Sequence, residues 1–373
     1  MKTNTLEQNL LLNTDSIDEL FCESIELLKQ LISISSFSKE EEKTANLIRQ
    51  FLESKGIKTF RKLNNVWTCN KHFDEAKPTV LLNSHHDTVK PNSGYTLDPF
   101  SAIEKEGKLF GLGSNDAGGA LVSLLATFLY FYEKELKYNF IFVASAEEEI
   151  SGKNGIELIL PELGKIDFAI VGEPTQMHLA IAEKGLMVLD CTSSGISGHA
   201  ARKEGENAIY NALKDIEWFR NYQFPKVSET LGPVKMTITI IHSGTQHNVV
   251  PDKCEFTVDV RTTDVYSNKE VLEIIKQHVS CEVNARSTRL NSSSIDKDHE
   301  IVRAGLSFGR KTYGSPTTSD QAVMNFPSLK LGPGDSARSH TADEFIYINE
   351  IKEGIELYIK MLNEFLDSAR NDN

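Results

Sequence analysis

The stretch Thr79-Val80-Leu81-Leu82-Asn83-Ser84-His85-His86-Asp87-Thr88-Val89-Lys90 begins as a short apolar run and turns at once into two histidines and an aspartate. Thr79 to Leu82 reads as a buried strand. Phe140 to Ala144 and Asp167 to Val171 read the same way, and Leu121 to Tyr132 reads as a buried helix between the first two. Strands alternating with helices predict an α/β fold with a mixed, mostly parallel sheet and helices on both faces. In such sheets the loops beyond the carboxyl ends of the strands converge on one rim, which is where functional groups collect. The polar end of the opening stretch lies at that rim.

Upstream, apolar residues recur at helical spacing from Ile17 to Leu31, and a second helix begins near Ser38, whose S-x-x-E spacing with Glu41 predicts a capping box. Gly56 is expected to end that helix. Downstream the pattern changes between about Glu183 and Thr288. A strand (Leu186 to Thr192), a helix (Asn207 to Phe219), two strands (Lys235 to Ile241, Cys254 to Arg261), a helix (Lys269 to His278) and a strand (Glu282 to Ser287) follow in order. That β-α-β-β-α-β succession is the split, ferredoxin-like plan of a separate α+β layer. Leu290 to Ser294 reads as its exit linker, and a last helix is expected from Asn349 to Leu366. The chain therefore divides into residues 1–182, an insertion at 183–290, and residues 291–373 that rejoin the first part.

With 373 residues, 40% of them hydrophobic, the chain can bury more than one domain's core. Its formal charge of -13 disfavours nucleic acid and anionic membrane, because each needs a basic face built against the overall field. A small-molecule substrate fits better. Five scattered cysteines without C-x-x-C pairing predict reduced thiols and a cytoplasmic setting. The N-terminal MKTNTLEQNLLLNTDS lacks a basic-then-apolar signal pattern, and no segment approaches the ~18 uncharged apolar residues of a membrane span.

Acidic and imidazole residues fall beyond successive predicted strands: His85 and Asp87, Asp116 in GLGSNDAGG, Glu147-Glu148-Glu149, and Glu173 in VGEPT, with His340 far downstream. Histidine and carboxylate together form the ligand set of catalytic zinc and related ions. GLGSNDAGG is not a dinucleotide loop, since Asp116 stands where the third glycine is required. Gly118-Gly119 more simply allow close packing.

The motifs in order are H-x-D, G-x-G-S-x-D, adjacent glutamates, G-E-P-T, G-H-A, N-x-V-P followed by D-x-R, and H-x-x-D-E. This series resembles the M20 family of co-catalytic metallo-aminoacylases and peptidases, which includes acetylornithine deacetylase and succinyl-diaminopimelate desuccinylase. The likeness runs from about Leu28 to Leu366. It implies a zinc-peptidase-like catalytic domain with an inserted lid and dimerisation domain, hence a homodimer. It further implies two divalent metal ions, zinc with cobalt as a substitute, bridged by Asp116. His85 and Glu173 would complete one site, Glu149 and His340 the other. Glu148 would be the general base; a one-residue slip would instead make Glu147 the base and Glu148 the ligand.

By the same resemblance His199 would donate to the developing oxyanion, while Asn248 and Arg261 would bind substrate. Arg261 can alternatively pair with a nearby acid at its strand end. Along an extended segment side chains alternate, so Asp87 lies on the side of His85 and can orient its ring, whereas His86 points away. The implied activity is removal of a short acyl group, acetyl first, from an N-acyl amino acid such as N-acetylornithine or N-acetylcitrulline in arginine biosynthesis. Desuccinylation, dipeptidase or carboxypeptidase activity, and a non-catalytic acyl-amino-acid binding protein are the alternatives. Two departures stand out: Ala117-Gly118 replace the usual Met-Lys after the bridging aspartate, and Arg202-Lys203 introduce cations after G-H-A.

Overall fold

The computed structural model describes residues 14–371. The N-terminal stretch read above for a signal pattern lies, up to Asn13, outside the described residues. The described residues form two compact units, one of residues 14–181, 295–313 and 324–371, the other of residues 182–294 and 314–323. Placing 291–373 wholly with the first part therefore requires a correction. Residues 314–323 group with the second unit because polar bonds hold them there: Ser319 N–H and Oγ–H donate to the buried Glu183 carboxylate at 3.1 and 2.8 Å, and Lys184 N–H donates to the Ser315 carbonyl at 3.1 Å.

In the first unit the expected strands are present: Thr79–His85 and Asn139–Ser145 extend beyond the apolar runs that predict them, whereas Phe168–Val171 begins one residue later than expected. Thr79–His85 lies between the other two and runs parallel to both, with His85 opposite Ser145 and Asn83 opposite Val171. Ser328–Lys330 adds a further parallel strand beside Phe168–Val171, and Asn65–Cys69 and Leu179–Glu183 join as antiparallel neighbours. Every residue of Thr79–His85 and Asn139–Ser145 is buried. Side chains alternate between faces, so both faces of the sheet are covered. Much of that cover comes from the helices Thr14–Ile32, Gly119–Tyr132 and Ile348–Asn371, whose apolar faces share one core with the sheet.

The helix Glu42–Ser54 forms, but the Ser38–Glu41 capping box does not. Ser38 Oγ–H donates instead to Asp87 Oδ2 at 2.7 Å, and the Glu41 carboxylate turns inward. Gly118 and Gly119 are needed for close approach, as expected. A Cβ on Gly118 would come within 2.4 Å of the Gly113 carbonyl, and one on Gly119 within 2.3 Å of Ile346.

The second unit is a four-stranded antiparallel sheet in the order Lys235–Ser243, Lys253–Thr262, Gly185–Ser194, Glu282–Ala285. Gly185–Ser194 alternates buried and half-buried residues, so one face packs under the helices Ala208–Asn221 and Asn268–His278. No helix among the described residues is long and apolar enough to cross a membrane.

His299 caps the helix Glu300–Ser307 by accepting the Ile301 N–H on Nδ1 at 3.3 Å. Burial lowers its pKa, aided by Arg303 and opposed by the nearby Glu300 and Asp296. The unfolded chain therefore takes up this proton first as pH falls below the ordinary imidazole value of about 6.5, so the cap's contribution is intact above that pH and lost below it. Asn in place of His299 keeps a capping acceptor without the titration. Urea unfolding of His299→Asn should show a shallower loss of stability between about pH 7 and pH 5 than the parent chain; an identical slope would assign the acid sensitivity to other groups.

Candidate metal centre

Three neighbouring parallel strands deliver the first groups to one rim. His85 is the last residue of its strand, Glu148 follows Asn139–Ser145 by three residues, and Glu173 follows Phe168–Val171 by two. Asp116 comes from the loop before the helix Gly119–Tyr132, and His340 from the segment before the strand Phe345–Tyr347. His85 Nε2 lies 3.4 Å from Asp116 Oδ1 and 3.9 Å from both Glu148 Oε2 and Glu173 Oε1. His340 Nε2 lies 2.9 Å from Glu149 Oε2 and 3.7 Å from Asp116 Oδ2. Asp116 thus directs one oxygen to each histidine. Potential ligand atoms of His85, Glu148 and Glu173, and of His85, Asp116 and Glu149, fall within 4.8 Å of one another in each group.

These residues fit a cation. His85 is 1% exposed, and its Nδ1 lies 3.1 Å from the Asp87 carbonyl, which can only accept. Nδ1 therefore carries a proton, and Nε2 is left either to hold a second proton or to ligate a cation. That Nε2 is buried without a hydrogen-bond partner and faces three carboxylates. An acceptor confronting acceptors is repulsive unless a proton or a metal ion lies between them. Burial opposes a charged His85, yet Asp116, Asp87, Glu148 and Glu173 outweigh it and hold its pKa well above the imidazole range. Asp116, despite burial, is pulled below the carboxylate range by His85, Ser339 and His340. Its hydrogen bond with Glu149 takes His340 up to about 9.

Asp87 differs from the expected geometry. Its carboxylate is 3.5 Å from His85 Nδ1, farther than its own carbonyl, because the strand ends at His85 and strict alternation stops there. The carboxylate instead accepts the N–H groups of Glu148 and Glu149 at 3.0 and 3.1 Å. His86 points the other way, as alternation predicts, and is bonded at both nitrogens, to Thr44 Oγ1 and the Asn64 carbonyl, each at 2.9 Å. Burial takes its pKa down to about 4. It is a buried histidine whose ring faces away from the carboxylates. Glu147 accepts from Asn154 Nδ2 at 3.1 Å, so the carboxylates near the histidines are those of Glu148 and Glu149.

Glu344 was quoted in the H-x-x-D-E motif without a role. Its side chain, 2% exposed, accepts the N–H groups of Gly113 at 3.1 Å and of Asn115 and Asp116 at 2.9 Å. Burial and the charge of Asp116 push its pKa up to about 7 against those three bonds. The acid thereby fixes the loop that presents the doubly facing aspartate. His340 itself sits at φ 60°, in the left-handed region that non-glycine residues seldom occupy. The place of Glu344 in the H-x-x-D-E motif is the one sequence signal for this brace, and it names no partner.

His199, Asn248 and Arg261 belong to the second unit. Gly198–His199 pairs with Val249–Val250, and the Ala200 N–H donates to the Asn248 carbonyl at 3.0 Å, so His199 and Asn248 share one small ladder. His199 is exposed, with Nδ1 accepting from Ala201 N–H at 3.1 Å. Arg261 engages Asp259 through Nε and Nη2 at 2.8 and 3.1 Å. The alternative of a neighbouring acid at its strand end is thus realised.

Comparison with known proteins agrees with this geometry. The family model described as peptidase family M20/M25/M40 matches residues 81–364. The chain is 27% identical to a succinyl-diaminopimelate desuccinylase of Rickettsia bellii, over 91% of this chain and 96% of that one. It is also 27% identical to an acetylornithine deacetylase of Proteus mirabilis, with the same coverage of 91% and 96%. The aminopeptidase PepT of Bacillus cereus shares its fold with a TM-score of 0.74 at 19% identity, covering 94% of this chain and 98% of that one. A motif order legible in the sequence, a buried imidazole nitrogen set among carboxylates and a family match over most of the chain agree: this protein belongs to peptidase family M20/M25/M40 and is a metal-dependent hydrolase of linear amides.

Proposed function

We propose that the protein removes a short acyl group from the α-amine of an amino acid, with acetyl as the leading acyl group and N-acetylornithine or N-acetylcitrulline as the leading substrates. The observation that carries the dinuclear reading is the division of Asp116 between His85 and His340. His85 and Glu173 would hold one ion, Glu149 and His340 the other, with Asp116 shared; zinc is the proposed metal and cobalt its substitute. Bound there, the ions would polarise the amide carbonyl and acidify a water molecule.

Glu148 would take a proton from the attacking water as its oxygen joins the carbonyl carbon, and deliver a proton to the amine as the carbon–nitrogen bond breaks. Asp87, by holding Glu148 N–H, orients that base. His199 would donate to the carbonyl oxygen as it gains charge, and Asn248 would contact substrate. Arg261 keeps its proposed contact with a substrate carboxylate, which its pairing with Asp259 would restrain to the remaining edge of the guanidinium.

A succinyl substrate is the second reading, supported by the desuccinylase relative, equal in identity to the deacetylase, and by exposed Arg202 and Lys203. Zinc-loaded protein should be assayed with N-acetylornithine, N-acetylcitrulline, N-succinylornithine and a set of dipeptides. We expect an acyl amino acid to lead in kcat/KM. Dipeptides ahead by about tenfold, roughly 1.4 kcal/mol of transition-state preference, would move the enzyme to the peptidases.

Glu148→Gln should still bind two metal ions by calorimetric titration while kcat falls at least 100-fold, within the range ascribed to general-base catalysis. His85→Ala should lose metal, whereas His86→Ala should keep both ions and lose about 1–3 kcal/mol of stability through the lost bond to the Asn64 carbonyl and the space left in the core. Equal metal loss in the two histidine variants would contradict the ligand assignment.

Self-association through the second unit is supported by an unpaired sheet edge. Lys235–Ser243 is an outer strand with Ile240 and Ile241 46% and 51% exposed, and the helix that packs on it exposes Tyr210 and Leu213 by 67% and 52%. An apolar edge of this kind invites a second copy. Sedimentation velocity should give a dimer for the parent chain and a monomer for Ile240→Lys/Leu213→Lys; a monomeric parent would remove this proposal. All five cysteines are free, which supports the cytoplasmic reading.

A further inference from the structure

The S-x-x-E segment expected to cap a helix closes instead around the turn that carries Glu148. Glu41 is 0% exposed, and Oε1 of its carboxylate accepts the N–H groups of Lys39 at 2.6 Å and of Glu147 at 3.2 Å. Oε2 accepts the Asn64 side-chain amide at 2.8 Å. The next two amides of the turn, Glu148 and Glu149, donate to Asp87, which is in turn held by Ser38 Oγ–H. Three consecutive N–H groups therefore end on two buried carboxylates. Glu147 lies at φ 56°, a left-handed conformation that persists in a non-glycine residue when its surroundings over-determine it. Gly152 N–H donating to the Glu147 carbonyl at 2.7 Å ties the turn to itself; Glu41 ties it to the segment preceding the helix Glu42–Ser54.

Keeping an acid here is costly. Burial raises the pKa of Glu41, and Asp87 adds like-charge repulsion, while the hydrogen bonds partly offset both. An apolar residue would fill the space without that penalty but would leave Glu147 N–H unpaired. We propose that Glu41 is a positioning residue for amide hydrolysis: by anchoring Glu147 N–H it sets the direction in which Glu148 leaves the end of its strand, without touching substrate or metal. The proposal rests on Glu148 being the general base. A base must sit within hydrogen-bond reach of the proton that it moves, and a misplacement of about 1 Å can cost on the order of 100-fold in rate.

Three variants test it. Glu41→Ala frees Glu147 N–H. Glu41→Gln retains an oxygen for the two backbone donors but turns an amide donor against the Asn64 amide, and adding Asn64→Asp restores the acceptor there. Each is measured for kcat, KM, metal stoichiometry and hydrogen exchange of the peptide covering residues 146–151.

We expect kcat of Glu41→Ala to fall about 100-fold, with KM and the two-metal stoichiometry kept within about twofold and exchange at 146–151 accelerated. Glu41→Gln should fall about 10-fold, and the double variant should return to within about threefold of the parent. The proposal is overturned if Glu41→Ala folds and keeps kcat within about threefold of the parent, if metal binding and KM deteriorate in step with kcat, or if Asn64→Asp brings no recovery. Should Glu41→Ala not fold, the Gln variant and its double decide. A parent chain that hydrolyses none of the amides would defeat the general-base reading; unchanged exchange at 146–151 in the Glu41 variants would defeat the anchor itself.

Discussion

A buried imidazole nitrogen that faces three carboxylates is the constraint around which the first unit is organised. His85 Nδ1 is committed to a backbone carbonyl, so it is Nε2 that faces Asp116, Glu148 and Glu173. Such an arrangement cannot be explained as packing, because isolated buried charge is among the most expensive features a fold can carry. It becomes stable when positive charge is placed among the groups. The parallel strands make the cost unavoidable, since their carboxyl ends bring His85, Glu148 and Glu173 to neighbouring positions.

Holding the acidic groups in place falls largely to other buried acids acting on backbone amides. Asp87 takes two N–H groups of the turn that carries Glu148 and Glu149, and Glu344 takes three from the loop that carries Asp116. A carboxylate has about four acceptor positions and can grip successive N–H groups, which a hydroxyl does less completely. The turns bearing Asp116, Glu148 and Glu149 are thus set from the backbone, leaving their side chains directed at the histidines.

The central strands were legible because unbroken apolar runs such as Val80-Leu81-Leu82 have few other outcomes, and the second unit was legible because its strands alternate and its helices keep a helical period. The expected capping box is absent for a physical reason. Ser38 and Glu41 have the right spacing for a cap, but tertiary packing offered each a different partner, Asp87 and Glu147, distant in sequence. The segment 314–323 was misassigned likewise, since the bonds from Ser319 to Glu183 span the whole insertion.

The sequence by itself determined which chemical groups stand at the strand ends, through the order of its motifs, and that the two adjacent histidines face opposite ways. Local periodicity and alternation carry that much, because they depend on neighbours along the chain. Only the tertiary structure decided that Asp116 faces two histidines, that Glu147 turns away while Glu148 and Glu149 do not, and that Asp87, Glu41 and Glu344 serve the backbone of other segments. Hydrogen bonds between residues tens to hundreds of positions apart are set by where the folded strands end, and spacing along the chain does not encode them.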